Sequence, residues 1–367
     1  MRLPVIEYLR WARLPKEGEF DLSRSGMEDF ALEGLGVSAG GLLLPEGSDW
    51  GSPSLRAAIA RSYSIPERNV LPSNGTTFAL FLVYAALLEP GNRVLVEEPA
   101  YEPLRSIPLL FGARVDRLPR PFESGYRLDR DRLVDSLTEE TRLVVLTDPH
   151  NPTGVRLTAG DREWLASIAE EHDVDVLLDE VYIDFDRRKE AGDGPRYECA
   201  LRHGRRMISI GSLTKVYGLG RLRVGWILAR EETIRRAAPL YDYTVGDLSG
   251  PSVALGVAAL SKREAIREKG AIRSSVNGEI VAAWMKRRPD LEWVRPEAGI
   301  TAFPRFRGGE ESAPFVDFAR KRHGVLVVPG GHFEDPRGFR LGYGIDPNLL
   351  HEALERLDRA LSERPGR

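Results

Sequence analysis

The sequence predicts an α/β fold, with a mostly parallel, doubly wound sheet domain and a smaller α+β domain formed by both chain ends. Three observations predict it. Short apolar runs alternate with longer helical patterns from about residue 53 to 240. That alternation stops after Pro251. The length of 367 residues also suffices for two domains or one large one, with a substantial core.

Five apolar runs are the candidate strands of the sheet. They have the length and the β-branched content typical of buried strands in a parallel sheet, and they lie at 93–96, 142–146, 174–178, 207–210 and 224–228. Between the second and third runs, residues 161–172 carry apolar side chains at helical spacing. This alternation predicts helices packed against the sheet.

The two chain ends predict the smaller domain. Residues 252–287 favour long helices, 300–306 and 324–328 favour short strands, and 347–362 fits a final amphipathic helix. We therefore place the large domain at 47–251 and the small domain at 1–46 together with 252–367. Residues 186–197 are predicted to form a solvated surface loop.

Composition excludes several classes of protein. The 52 basic and 55 acidic side chains give a net charge of −3, so the chain lacks the excess of positive charge expected of a nucleic-acid-binding protein. No apolar run approaches the roughly 20 residues of a membrane span, and charges interrupt the N-terminus too often for a signal peptide. The single cysteine, Cys199, cannot form an intrachain disulfide. We therefore expect a cytoplasmic protein without nucleic-acid or membrane partners.

Motifs for other kinds of site are missing from the sequence. There is no P-loop, no G-x-G-x-x-G after the first strand and no G-x-S-x-G nucleophile elbow. The six histidines are scattered without zinc-ligand spacing, so we expect no metal site.

Polar side chains follow four of the predicted strands. Tyr101, Asn151, Asp179 and Lys215 each come directly or shortly after an apolar run. Ligands of open α/β sheets bind beyond the carboxyl ends of the strands. An aromatic ring, an amide, a carboxylate and an amine are therefore predicted to line one cleft.

A glycine turn precedes a further apolar helical pattern at 78–88. Gly75, Thr76 and Thr77 would place backbone N–H groups and hydroxyls at the start of that helix, which suits a phosphate. An ordinary helix N-terminus capped by Ser, Asn or Thr has the same pattern, so both interpretations stay open.

Together these motifs resemble the class I/II aminotransferases, pyridoxal-phosphate-dependent enzymes of the aspartate aminotransferase fold (fold type I). The motifs are NPTG at 151–154, DEVY at 179–182, SLTK at 212–215, RLRVGW at 221–226 and FRLG at 339–342. Their order and spacing match the family, with 28 residues from Asn151 to Asp179, 36 on to Lys215, eight on to Arg223 and 117 on to Arg340. The resemblance covers nearly the whole chain.

The resemblance implies pyridoxal 5'-phosphate as the cofactor and three catalytic residues. Lys215 would form the Schiff base with the cofactor aldehyde, which requires an amine of lowered pKa. Asp179 would keep the pyridine nitrogen protonated, and Tyr182 would bind the phenolic oxygen of the ring. The implied cofactor-binding set is Gly75, Thr76, Thr77, Tyr101, Asn151, Asp179, Tyr182, Ser212, Lys215 and Arg223.

Substrate binding is implied for three residues, Gly26, Asn151 and Arg340. Arg340 would clamp the α-carboxylate of the substrate with two parallel hydrogen bonds. The implied reaction moves an amino group from an L-amino acid to a 2-oxo acid by a ping-pong mechanism, in a homodimer.

Other reactions remain open at this stage. A pyridoxal-phosphate-dependent lyase, decarboxylase or cyclase is the alternative, because the stretches 299–306 and 323–330 are also similar to the arginine-cyclising capreomycidine synthases. A non-catalytic cofactor-binding regulator is the remote alternative.

The chain departs from the family pattern at three points, one of which is Phe78, where relatives often carry Glu or Gln. Residues 42–51 contain no tyrosine to reach the phosphate of a partner subunit, and Ser48 or Trp50 are the candidates to replace it. Residues 241–249 contain no second arginine, which disfavours a dicarboxylate specialist unless the arginine comes from elsewhere, with Arg24 as the candidate.

Overall fold

The computed structural model describes residues 5–13, 20–38, 40, 42, 50, 52–185 and 199–364. These residues form fourteen strands: β1 (Phe20–Asp21), β2 (Val70–Ser73), β3 (Arg93–Glu98), β4 (Arg114–Pro119), β5 (Thr141–Thr147), β6 (Asp175–Asp179), β7 (Met207–Ser212), β8 (Gly225–Leu228), β9 (Leu291–Glu292), β10 (Thr301–Ala302), β11 (Arg305–Phe306), β12 (Val325–Leu326), β13 (Val328–Pro329) and β14 (Phe339–Gly342).

The same described residues form eleven α-helices, which alternate with the strands in the first two thirds of the chain. They are α1 (Glu7–Ala12), α2 (Pro53–Tyr63), α3 (Thr76–Leu87), α4 (Glu102–Ser106), α5 (Arg130–Asp135), α6 (Ala159–Glu171), α7 (Glu231–Ala237), α8 (Gly250–Ser261), α9 (Arg263–Met285), α10 (Ser312–His323) and α11 (Pro347–Glu363).

Seven strands form the central sheet, in the order β2-β8-β7-β6-β5-β3-β4. Strands β3 to β7 pair in parallel with their neighbours, whereas β8 runs antiparallel to both β7 and β2. The carboxyl ends of β2, β3, β5, β6 and β7 therefore lie at one edge of the sheet. The mostly parallel α/β fold is confirmed, and the five predicted strands correspond to β3, β5, β6, β7 and β8.

Helices cover both faces of this sheet, which is why its inner strands are mostly buried and apolar. On one face, Leu80 of α3 belongs to the same buried cluster as Val94 and Val96 of β3. On the other face, Leu165 of α6 belongs to a cluster with Leu95 of the same strand. Alternate side chains of one strand thus enter two separate cores.

The N-terminal segment is joined to the C-terminal part of the chain. Strand β1 pairs in parallel with β12, so that Phe20 faces Val325. Strands β10, β14 and β13 form an antiparallel sheet, and β9 pairs with β11. Helix α11 buries one apolar stripe that includes Leu350, Leu354 and Leu357.

The domain limits stay a prediction. The limit at 46/47 and the predicted surface loop at 186–197 lie outside the described residues. In the part of the chain that the structure describes, no helix is both long and apolar enough to cross a membrane. No group of three or more His, Cys, Asp or Glu side chains in those same ranges could hold a metal ion.

Candidate active site

A cavity of about 420 Å³ lies at the carboxyl edge of the central sheet. Five of the neighbouring strands contribute to it because their ends share that edge. Nine residues predicted from the sequence line it: Thr76, Thr77, Tyr101, Asn151, Asp179, Tyr182, Lys215, Arg223 and Arg340. The remaining three predicted residues, Gly26, Gly75 and Ser212, lie beside the lining and are described below.

Lys215 follows β7 and brings a half-buried amine into the cavity. Its Nζ donates a hydrogen bond of 2.7 Å to the Ser25 hydroxyl and lies 5.4 Å from the centre of the Tyr182 ring. Burial lowers the pKa of Lys215 to about 8. A substantial fraction of the amine is therefore neutral near physiological pH, as a nucleophile toward an aldehyde requires.

Asp179 is the last residue of β6 and is 4% exposed. Burial raises its pKa to about 7, while the hydrogen bond from the Val181 N–H and the charge of Lys215 act in the opposite direction. Among the described residues no arginine or lysine forms an ion pair with this carboxylate. Asp179 is thus a buried acid that a cationic group in the cavity would hold ionised.

Three further predicted side chains, those of Tyr182, Asn151 and Tyr101, line the same cavity as Lys215 and Asp179. The Tyr182 hydroxyl is buried and lacks a well-formed hydrogen bond among the described residues, although the Ser25 hydroxyl lies close to it. Asn151 follows β5, and its Oδ1 accepts a hydrogen bond from Arg340. Burial raises the pKa of Tyr101, whose hydroxyl is near that of Thr77.

The glycine turn and Arg223 form a compact anion cradle. Gly75 has φ +80°, and a Cβ at that position would overlap the Arg223 guanidinium, so only glycine fits. Helix α3 begins at Thr76 without a side-chain cap, which leaves its first N–H groups available. Arg223 donates to the Gly220 carbonyl at 3.2 Å and pairs with no carboxylate among the described residues.

These observations fit a phosphate group bound at the cradle. The donors are cationic or backbone N–H groups, and no described carboxylate competes for Arg223. Ser212 is buried and pairs with Gly225, which packs against the backbone of Gly75, and its Oγ accepts a hydrogen bond of 3.3 Å from the Thr214 N–H. Ser212 is therefore next to the predicted phosphate site without lining the cavity.

Arg340 places a second unneutralised guanidinium in the cavity, although it is only 1% exposed. It lies on β14 and donates to three neutral acceptors: Asn151 Oδ1 at 3.2 Å, the Tyr8 hydroxyl at 2.9 Å and the Ser23 carbonyl at 3.0 Å. Its Nε has no acceptor among the described residues. A buried cation without a carboxylate is suited to an anionic ligand.

Gly26 packs against the segment that carries Lys215. A Cβ there would lie 3.1 Å from the Thr214 carbonyl oxygen, and the next residue, Met27, donates a hydrogen bond of 2.8 Å to the Lys215 carbonyl. Gly26 therefore allows the N-terminal segment to approach the lysine closely.

Sequence reasoning missed the contribution of the N-terminal segment. Helix α1 and residue Ser25 line the cavity, but no motif marks them, and only the weak helical pattern around Tyr8 could have suggested α1. The unpredicted lining residues are Tyr8, Leu9, Ala12, Arg13, Ser25, Val181 and Thr214.

Arg24, the candidate for a second arginine, does not line the cavity. Its guanidinium lies 3.9 Å from the Asp21 carboxylate and 3.6 Å from the Asp29 carboxylate. Arg24 is therefore paired with these two carboxylates outside the cavity lining. Among the described residues of the N-terminal segment, Arg13 does line the cavity. Trp50 donates a hydrogen bond of 3.3 Å to Asp242, and Ser48 lies outside the described residues.

The chain matches the family model "Aminotransferase class I and II" over residues 46–357. It is 30% identical to a capreomycidine synthase of Streptomyces vinaceus over 98% of this chain and 93% of that protein. It is 29% identical to an arginine–pyruvate transaminase of Pseudomonas aeruginosa over 85% of this chain and 81% of that protein. A crystal structure of a PLP-dependent aminotransferase from Streptococcus suis superposes with a TM-score of 0.91 at 26% identity, covering 99% of this chain and 98% of the other.

The chain belongs to the class I and II aminotransferases. Its fold is fold type I, its cofactor is pyridoxal 5'-phosphate, and the comparisons support the predicted aminotransferase function. The family and cofactor predicted from the sequence motifs are thereby confirmed.

Proposed function

We propose that this enzyme transfers the amino group of an L-amino acid to a 2-oxo acid by a ping-pong mechanism. The observation that supports this proposal most directly is the single cavity faced by an amine of lowered pKa, a buried carboxylate and a buried arginine without a carboxylate partner, which are Lys215, Asp179 and Arg340. These are the groups needed to bind the cofactor covalently, hold its ring and grip an amino acid.

The cofactor-binding roles are proposed from the same geometry. Arg223 and the N–H groups of the Gly75 turn would hold the phosphate, with the Thr76 and Thr77 hydroxyls as further donors. Tyr101 would cover one face of the ring. When bound, pyridoxal phosphate supplies an electron-withdrawing ring that stabilises negative charge at the substrate Cα.

The protein's own groups would then control the protons of the reaction. Asp179 would hold a proton on the ring nitrogen, because two opposite charges at a typical separation of about 4 Å attract each other by roughly 4 kcal/mol at an effective dielectric constant of 20. Tyr182 and Asn151 would donate hydrogen bonds to the phenolic oxygen of the ring. Lys215 would remove the proton from the substrate Cα and return it to the neighbouring cofactor carbon as general base and acid.

Arg340 would orient the substrate for this proton transfer. Its fixed fork of donors matches a carboxylate, and the three neutral acceptors around it leave its charge uncompensated until the substrate binds. A carboxylate gripped at this point fixes the position of the substrate Cα relative to Lys215.

A lyase, decarboxylase or cyclase reaction, which converts a single amino acid without a 2-oxo acid acceptor, is the second candidate. It is favoured by the similarity to a capreomycidine synthase over 98% of this chain. The residues described as lining the cavity, however, include no carboxylate besides Asp179 that could bind a guanidinium side chain. The composition of the lining therefore favours amino-group transfer over cyclisation of an arginine derivative.

We also propose a cytoplasmic location and a homodimer. We further propose a large domain at 47–251 and a small domain at 1–46 together with 252–367. The homodimer is supported by the family alone. Sedimentation of the holoenzyme tests it, with a monomer as the contradicting result.

A panel of L-amino acids, each supplied with and without a 2-oxo acid, tests the proposed reaction. We expect product to accumulate catalytically only when the 2-oxo acid is present, and we expect the cofactor spectrum to change with the amino acid alone. Turnover without an acceptor would favour the lyase or cyclase. Lys215→Ala should abolish both product formation and the change in the cofactor spectrum. If no amino acid changes the spectrum of the wild type, the result would favour the non-catalytic cofactor-binding regulator.

A further inference from the structure

We infer that Glu102 is a positioning residue for substrate binding, because it anchors helix α1 and thereby places the Tyr8 hydroxyl against Arg340. This inference rests on the proposed role of Arg340 as the substrate carboxylate clamp. It assigns a function to a carboxylate and an N-terminal helix that carry no family motif.

Glu102 holds the start of α1 through two backbone hydrogen bonds. Its Oε1 accepts from the Glu7 N–H at 3.1 Å, and its Oε2 accepts from the Tyr8 N–H at 2.6 Å. Glu102 is 5% exposed, and the Arg105 guanidinium lies 3.9 Å from its carboxylate. Hydrogen bonds to an ionised, buried acceptor are stronger than those between neutral groups.

The anchored helix has one buried residue, Tyr8. The Tyr8 ring meets Tyr101 edge to face at 5.5 Å and packs against Phe333 at 5.7 Å. Its hydroxyl accepts the 2.9 Å hydrogen bond from Arg340. Tyr8 therefore contacts both the residue proposed to grip the substrate and the residue proposed to cover the cofactor.

The arrangement fixes Arg340 without neutralising it. A carboxylate in the place of Tyr8 would orient the guanidinium equally well but would compete with the substrate for its charge. A phenolic hydroxyl held in place by a distant carboxylate orients the arginine and leaves the charge for the ligand. Glu102 thus supplies the anchoring at a distance from Arg340.

The experiment compares the holoenzymes of Glu102→Gln, Tyr8→Phe, the double variant and the wild type. Each single change should raise the KM of the amino acid in the half-reaction by about tenfold, the effect of one hydrogen bond to a charged group, and leave kcat within about twofold. The double variant should be no worse than about the larger single effect, because both changes act through the same contact. The affinity for pyridoxal phosphate should not change.

Hydrogen exchange provides a readout that does not depend on turnover. The amides of Glu7 and Tyr8 should exchange faster in Glu102→Gln than in the wild type and in the control Glu163→Gln, which removes an exposed carboxylate on α6. Tyr8→Phe should leave these amides protected, since it retains the ring and the Glu102 contacts.

Unchanged KM in both single variants, or additive effects in the double variant, would overturn the inference. A joint fall in kcat and cofactor affinity would assign Glu102 a merely structural role. If no amino acid reacts with the wild type, the proposed function fails, and calorimetry with non-reacting carboxylates such as succinate and 3-phenylpropionate decides the inference. Weaker binding in Glu102→Gln and Tyr8→Phe than in Glu163→Gln supports it, and equal binding contradicts it.

Discussion

The Lys215 amine and the Ser25 hydroxyl are 190 positions apart in the chain, yet they are joined by a hydrogen bond of 2.7 Å. This contact brings the N-terminal segment to the lysine at the end of β7. The same segment lines the cavity through α1, so the site is closed by residues that the central sheet does not supply. The chemistry of the amine therefore depends on both parts of the chain.

The rate of cofactor capture by the cofactor-free protein should follow the ionisation of Lys215. Burial lowers its pKa to about 8, and only the neutral amine attacks an aldehyde, so the rate should rise with pH up to about 8 and level off above it. Stopped-flow absorbance measures this rate, with Lys215→Ala as the background. A rate that keeps rising toward pH 10 would show an ordinary, solvated lysine.

Replacing Asp179 by asparagine should lower kcat about a thousandfold, which corresponds to roughly 4 kcal/mol of lost charge interaction. Asparagine has nearly the same size, so the change removes the charge without opening a cavity. Single-turnover rates at saturating amino acid measure the effect, and Asp131→Asn on the exposed side of α5 is the matched control. Activity within about fivefold of the wild type would remove Asp179 from the proposed machinery.

Arg223→Gln should weaken the binding of pyridoxal phosphate by about tenfold to a hundredfold, the effect of losing charge-assisted hydrogen bonds to phosphate. Binding of pyridoxal, which lacks the phosphate, should not change. Fluorescence titration of both compounds checks this expectation. Arg221→Gln is the control, because Arg221 is exposed and does not line the cavity. Equal losses for both ligands would contradict the phosphate assignment.

Arg13→Gln should raise the KM of a dicarboxylic 2-oxo acid such as 2-oxoglutarate about tenfold and leave that of pyruvate unchanged. Arg13 lines the cavity, and no carboxylate partner for it occurs among the described residues, so it can meet a second carboxylate. Arg10→Gln in helix α1, which ends just before Arg13, is the control, because Arg10 is exposed and its guanidinium lies 4.0 Å from the Glu7 carboxylate. Parallel changes for both acids, or none, would rule out this role.

Most of the cavity could be predicted because strand direction decides where its residues lie. Asn151, Asp179 and Lys215 each follow an apolar run, and parallel strands bring such positions together without any knowledge of side-chain packing. Arg340 was predicted only through the family resemblance. Its strand is short and lies outside the central sheet.

The parts that sequence reasoning missed depend on contacts distant in the chain. Tyr8 reaches Arg340 across 332 positions, and no local pattern encodes that approach. Strand β4 was missed because it is a half-exposed edge strand with charged side chains, one of which, Asp116, pairs with Arg93 of β3 at 2.7 Å. Strand β2 was missed because four residues with a proline form no recognisable run.

The antiparallel direction of β8 has a consequence for how this enzyme tolerates changes in length. Ser212 at the end of β7 faces Gly225 at the start of β8, so residues 213–224 leave and re-enter the same edge of the sheet. A crossover to a parallel strand would have started β8 at the opposite edge. Lys215 and Arg223 both lie in this short connection, whose two ends are fixed by β7 and β8. The length of the connection therefore fixes the distance between the two side chains. An insertion or deletion there would displace the nucleophile and the anion cradle together.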